Sequence, residues 1–197
     1  MDAIGVSAGL LEAEAHVTAL REALVDLSPE LAKIELWGAA LARVLSGGGR
    51  LLTAGNGGSA AQAEHLATEL VGRYRDERRP FAALALSAEG PAITAIGNDY
   101  AFEDVFARQV LAHGRPGDVF VALSTSGRSP DVLAAATAAR SAHLTVWGLT
   151  GPLPNPLADS CDDVVAVAAS TVATVQEVHQ VVIHLLCAAL DRTLLTV

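Results

Sequence analysis

Apolar residues recur at helical spacing from Leu10 to about Leu27 and again from Leu31 to Leu45, with polar residues between them. The pattern predicts two helices. Ser28-Pro29-Glu30 reads as the start of the second, with serine at the N-cap and proline in the first turn, and Gly47-Gly48-Gly49 reads as its end. From Arg50 onward the pattern changes to short apolar runs. Those at 50–54, 82–86, 118–123, 144–149 and 163–167 predict five buried strands. Helices follow: one from the first glycine loop to about Val71, an apolar one ending near His113, one starting at Pro130, and a long one from about Val172 to Leu195. Alternation of this kind predicts an α/β fold, a parallel sheet covered by helices on both faces. Residues 1–197 read as one domain, with N-terminal helices over 1–47 and an α/β core over 48–197. The two N-terminal helices are expected to pack on the body or on another subunit.

The 197 residues, 51% hydrophobic and 18% charged, bury a sizeable core and exclude intrinsic disorder. Aromatics at 4% and a formal charge of −9 weigh against nucleic acid as a partner. Cys161 and Cys187 are too few for a disulfide framework, which makes a reducing compartment the default. The N-terminus lacks a basic segment followed by an apolar one, and no uninterrupted apolar run reaches membrane-spanning length. The expectation is a soluble, cytoplasmic protein with no membrane partner. The single lysine, Lys33, sits in a plain helical stretch, which argues against Schiff-base chemistry and against a lysine-bearing phosphate loop.

Ligands of parallel sheets bind at the carboxyl ends of the strands, where both glycine- and serine-rich loops fall. Ser124-Thr125-Ser126-Gly127-Arg128-Ser129 places four hydroxyls around one glycine just before a helix. Backbone N–H groups and the helix dipole favour an anion there, and the hydroxyls add donors. The plainer alternative is a turn with Ser129 as an ordinary N-cap. Gly55-Asn56-Gly57-Gly58-Ser59 has neither the spacing of a dinucleotide fingerprint nor the lysine of a nucleotide-hydrolase loop. Two such loops together point to a small phosphorylated polyol, phosphate at one and hydroxyls at the other.

His65 and Glu69 are four apart and share a helix face. On the final helix, Gln176 and His184 are eight apart, and His184 lies in an otherwise apolar stretch where a polar residue needs a partner. Together they form an adequate divalent-metal set, and zinc is the expected ion. Spacing does not bring the two helices together, so an i,i+4 surface pair and a satisfied core histidine stay open as alternatives. His179 reads as a packing or supporting residue. The run from Arg73 to Arg79 reads as a solvated loop face.

These residues resemble the sedoheptulose 7-phosphate isomerases (phosphoheptose isomerases) of the sugar isomerase, or SIS, domain superfamily. The resemblance rests on Gly55-Asn56-Gly57-Gly58-Ser59 with His65, Glu69 and Gly72-Arg73-Tyr74. It continues through Ile96-Gly97-Asn98-Asp99, the serine loop, and Gln176-Glu177-x-His179-x4-His184, in the expected order over about residues 1–192. It implies a flavodoxin-like fold and a homotetramer with active sites at subunit interfaces. It also implies one zinc per subunit, held by His65, Glu69, Gln176 and His184. The implied sugar-phosphate contacts are Asn56, Gly57, Gly58 and Ser59 of the first loop, Asn98 and Asp99, Ser124, Thr125, Ser126 and Ser129, and Gln176. The chain departs from the family at Ala173-Thr174-Val175, where many members carry an arginine. The family reaction passes through an enediol, and the expected roles are Glu69 as base and His184 as acid. The rival is a non-catalytic phosphosugar-binding scaffold, such as the replication paralogue that binds the initiator DnaA. That paralogue lacks counterparts of Glu69 and His184.

Overall fold

The computed structural model describes residues 3–195. Five strands, β1 (Leu51–Ala54), β2 (Ala83–Ala85), β3 (Val119–Ser124), β4 (Thr145–Thr150) and β5 (Asp163–Ala166), make one sheet in the order β2-β1-β3-β4-β5. Every pairing is parallel. β1, β3 and β4 are buried at every position except Thr145, which is why they read as continuous apolar runs without alternation.

Successive strand residues feed two different cores. Leu51, Val119, Val121, Leu123, Trp147 and Leu149 face α1 (Ala3–Asp26), α2 (Leu31–Ser46), α3 (Gly58–Val71) and α8 (Val172–Leu195). Leu52, Ala54, Phe120, Ala122 and Val146 face α4 (Gly90–Asp99), α5 (Val105–His113), α6 (Pro130–Ser141) and α7 (Pro156–Ser160). The expected three-layer, flavodoxin-like architecture is what the chain adopts. The rings of Trp37 on α2 and Trp147 on β4 stack with centroids 4.7 Å apart, and the Trp37 indole N–H donates to Asp163 at 2.8 Å. This pins an N-terminal helix to the sheet.

Some local expectations shift. Ser28 does not cap the second helix: Ser28–Glu30 is a 3₁₀ turn whose N-cap is Leu27, and it runs straight into α2. α4 and α7 are additional helices, each with a proline in its first turn. β3 and β4 extend to Ser124 and Thr150, whose backbones pair as the last rung of the ladder. Ser124, the first residue of the serine loop, is therefore fixed by the sheet.

α8 is the one helix among the described residues long and apolar enough to cross a membrane by length and composition. Half of its most apolar window is buried inside the molecule, and it packs along α2 and α3, the setting of a core helix. β1 and β3 are neighbours, yet their chains continue into helices on opposite faces of the sheet. A crevice opens between the two following loops, the place where such sheets bind ligands.

Candidate active site

The first loop leaves β1 at Ala54 and enters α3 at Gly58. Gly57 has φ of +53°, a left-handed conformation that glycine adopts without a side-chain clash. Asn56, Gly57 and Gly58 are exposed, whereas Ser59 is buried. The Asn56 amide nitrogen donates to both oxygens of Asp131, at 3.0 and 2.9 Å. Asp131 stands in the first turn of α6 and is 2% exposed. The two loops are thus tied across the crevice.

In the second loop, Ser124 is buried, and its hydroxyl lies 3.1 Å from that of Ser129 and 3.5 Å from that of Ser126. Ser129 occupies the N-cap position of α6 but makes no side-chain capping bond. Its hydroxyl faces the serine cluster instead, and the plain N-cap alternative is not what forms. Gly127 has φ of +61°, and the space a Cβ would need is filled by the side chain of Asn155. Asn155 in turn caps α7 by accepting from the Ala158 N–H at 3.1 Å.

α3 and α8 bring the ionisable residues together. His65 Nε2 lies 3.1 Å from Glu69 Oε1 and 3.1 Å from His184 Nε2. One ligand atom from each of the three falls within 4.8 Å of the others. Zinc ligands about 2.0–2.1 Å from one ion in tetrahedral array stand roughly 3.3 Å apart, and two histidines with one carboxylate are a known catalytic donor set. The residues fit a divalent metal. The Gln180 amide nitrogen also lies 3.1 Å from His184 Nε2. His184 Nε2 is thus approached by both His65 Nε2 and the Gln180 amide. The Tyr74 ring covers His184 at 5.7 Å between centroids. Burial pushes the neighbouring Cys187 thiol up to about 12, an effect that the Glu69 charge reinforces. Cys187 is not among the residues whose ligand atoms cluster, which are His65, Glu69 and His184.

Gln176 stands two turns earlier on α8 than His184. Its side-chain amide presses on Gly58, where a Cβ would meet it at 2.5 Å, and its carbonyl accepts from the Gln62 amide. It lies at the first loop rather than beside His65. His179 is fully buried and contacts the Thr150 carbonyl at 3.1 Å, while the Thr150 hydroxyl donates to the Ser124 carbonyl. It supports the serine loop from below. Asn98 and Asp99 end α4, exposed and bonded to each other at 2.9 Å, and no hydrogen bond among the described residues ties them to either loop.

The arginine run is not uniformly a solvated face. The Arg78 side chain is only 9% exposed; it pairs with Asp191 of α8 at 3.0 Å and donates to the carbonyls of Glu69 and Leu70 at the end of α3. Asp131, Asn155 and Gln180 escape the sequence. Each acts on a partner through space, and only Gln180, one turn before His184, carries a periodic signal.

The SIS domain family matches residues 14–151. A phosphoheptose isomerase of Streptomyces coelicolor is 54% identical over 193 residues, covering 98% of this chain and 77% of the relative. The phosphoheptose isomerase structure from Neisseria gonorrhoeae superposes with a TM-score of 0.80 at 37% identity, over 95% of this chain and 97% of that one. The one from Francisella tularensis gives 0.84 at 32%, over 98% and 100%. With this sheet order, these loops and this level of identity along nearly its whole length, the chain belongs to the phosphoheptose isomerase family of SIS-domain proteins.

Proposed function

We propose that the protein interconverts sedoheptulose 7-phosphate and D-glycero-D-manno-heptose 7-phosphate as a zinc-dependent, cytoplasmic homotetramer. The observation that carries the proposal is the meeting of Glu69 and His184 around His65, from helices more than a hundred positions apart. A scaffold that only binds a phosphosugar has no use for that convergence. The relatives named phosphoheptose isomerase support the substrate class.

The serine loop binds the phosphate with its hydroxyls and the N-terminus of α6. From Gly58 to His65 the axis of α3 rises roughly 10 Å, comparable with an extended seven-carbon chain. The reacting carbons of the open-chain ketose then lie by Glu69 and His184. Glu69 removes a proton from C1, the electrons shift to give the enediol, and a proton is returned at C2 while the C1 hydroxyl becomes the aldehyde. His184 supplies that proton from the opposite side. A bound zinc would polarise the carbonyl or hydroxyl oxygen as a Lewis acid. His65, Glu69 and His184, whose ligand atoms cluster, would hold it; only the resemblance assigns Gln176 as a fourth ligand, because its side chain stands against Gly58. A carboxylate held by the ion would be a weaker base, so Glu69 would act on the substrate with an oxygen free of it.

Among the described residues no hydrogen bond links Asn98 or Asp99 to the loops of their own chain, which suits residues serving a neighbouring subunit's site. Both cysteines are free, which suits a reducing compartment. The test is turnover of sedoheptulose 7-phosphate with and without chelator, together with Glu69→Gln and His184→Gln. Loss of either group lowers kcat by about 10²–10⁴-fold. Near-parental kcat in a folded variant would remove that residue from the reaction, and no turnover of any ketose phosphate by the metal-loaded protein would favour the scaffold.

A further inference from the structure

The two oxygens of buried Asp131 take up the amide nitrogen of Asn56. The reverse orientation, oxygen against carboxylate, is electrostatically excluded, so the amide is fixed with Oδ1 facing away from Asp131. Asn56 is exposed, and no hydrogen bond among the described residues engages that Oδ1. The same turn exposes Gly57 and Gly58, while the Asn56 carbonyl is already used by the Ser59 and Ala60 N–H groups. The turn therefore offers a fixed side-chain acceptor beside glycine backbone. A sugar hydroxyl, which both donates and accepts, satisfies an acceptor. A phosphate dianion has only acceptors and is repelled by it. The serine loop, all hydroxyls and N–H groups, has the opposite character.

Resting on the sugar-phosphate reading above, we propose that Asp131 is a positioning residue that makes the Asn56 turn a hydroxyl-only subsite. By doing so it sets which end of the substrate lies at which loop. Asp131 touches no substrate. It acts by holding Asn56 as a hydrogen-bond acceptor, and its own charge is accommodated at the N-terminus of α6.

Exchanging the two side chains tests this. In Asn56→Asp two carboxylates face each other, and affinity for sedoheptulose 7-phosphate falls at least tenfold. In the double variant Asn56→Asp/Asp131→Asn the new amide at 131 donates to the new carboxylate at 56, whose second oxygen again presents an acceptor. Calorimetric Kd values are measured for sedoheptulose 7-phosphate and for inorganic phosphate, which has no carbon-bound hydroxyl and reports the anion site alone. The double variant is expected to recover the parent's ratio of the two constants to within about threefold, a margin set by a single hydrogen bond. KM follows the same order while kcat changes little. A double variant no better than Asn56→Asp, or an Asn56→Asp variant that binds like the parent, would overturn the assignment of Asp131. A parent that binds inorganic phosphate but neither binds nor turns over the ketose phosphate would overturn the substrate reading, and the hydroxyl subsite with it.

Discussion

His179 shows how one residue couples stability to pH. Burial pulls its pKa down from the usual 6.5 to about 4, and the hydrogen bond to the Thr150 carbonyl only partly opposes this. In the unfolded chain the imidazole titrates near 6.5. Between the two values the unfolded state binds more protons, so stability is complete above about pH 6.5 and falls as pH drops toward 4. The effect is on the order of 3 kcal/mol across that window. Denaturant unfolding at neutral pH and at about pH 5 should show the loss, and His179→Gln should flatten the slope. An equal slope in the variant would assign the pH dependence elsewhere. Gly127 makes a second residue-level case. A side chain there meets both a left-handed backbone, worth about 1–2 kcal/mol, and the Asn155 side chain. Gly127→Ala should lower Tm and raise KM for the sugar phosphate while metal affinity stays unchanged. The sequence shows this glycine within its ring of hydroxyls, but Asn155 is 28 positions on and carries no local sign of its role.

At the level of elements, α3 and α8 run side by side in the same direction and are joined at three heights. Gly58 and Gln62 meet Gln176, His65 meets His184, and Arg78 clasps the last carbonyls of α3 to Asp191. Asp191 is seven residues beyond His184, two turns along the same face, so the clasp fixes the axial register that brings the histidines together. Removing one partner of a buried pair leaves the other uncompensated, at about 3–5 kcal/mol. Asp191→Asn and Arg78→Met should therefore lose stability on that scale. They should also weaken cobalt or zinc binding about tenfold, because His184 slides relative to His65, whereas inorganic phosphate binding at the serine loop holds. Native metal affinity in a folded Arg78→Met would show that the register is set without the clasp. This contact was hidden in the sequence because an arginine run has the composition of a solvated face and the partner carboxylate lies 113 positions away. The architecture was legible for the converse reason. Strands buried on both faces must be apolar throughout, and each loop announces itself by glycine or serine at the carboxyl end.

At the scale of the whole molecule, α1 carries an apolar stripe that the core does not use. On α1, Leu10, Val17 and Leu24 repeat every seven residues, accompanied by Leu11 and Val25, and all five are exposed, Val25 at 69%. The opposite face of the helix supplies Leu20 and Ala23 to the core and His16 to Glu177 at 2.9 Å. A helix apolar on both sides, with heptad spacing on the outer one, is built to meet another helix. The sequence left open whether the N-terminal helices pack on the body or on another subunit, and the inner face of α1 already takes the first role. In the proposed homotetramer the outer face takes the second. The parent should then sediment at four times the 20.2 kDa of the chain. Val17→Asp/Leu24→Asp charges the middle of the stripe without touching the core and should shift the mass toward smaller species. If Asn98 and Asp99 serve a neighbour's site, that dissociation removes turnover while binding of inorganic phosphate to the serine loop, built within one chain, persists. A parent that is active as a single chain of 20.2 kDa would separate catalysis from assembly and return Asn98 and Asp99 to the surface of α4.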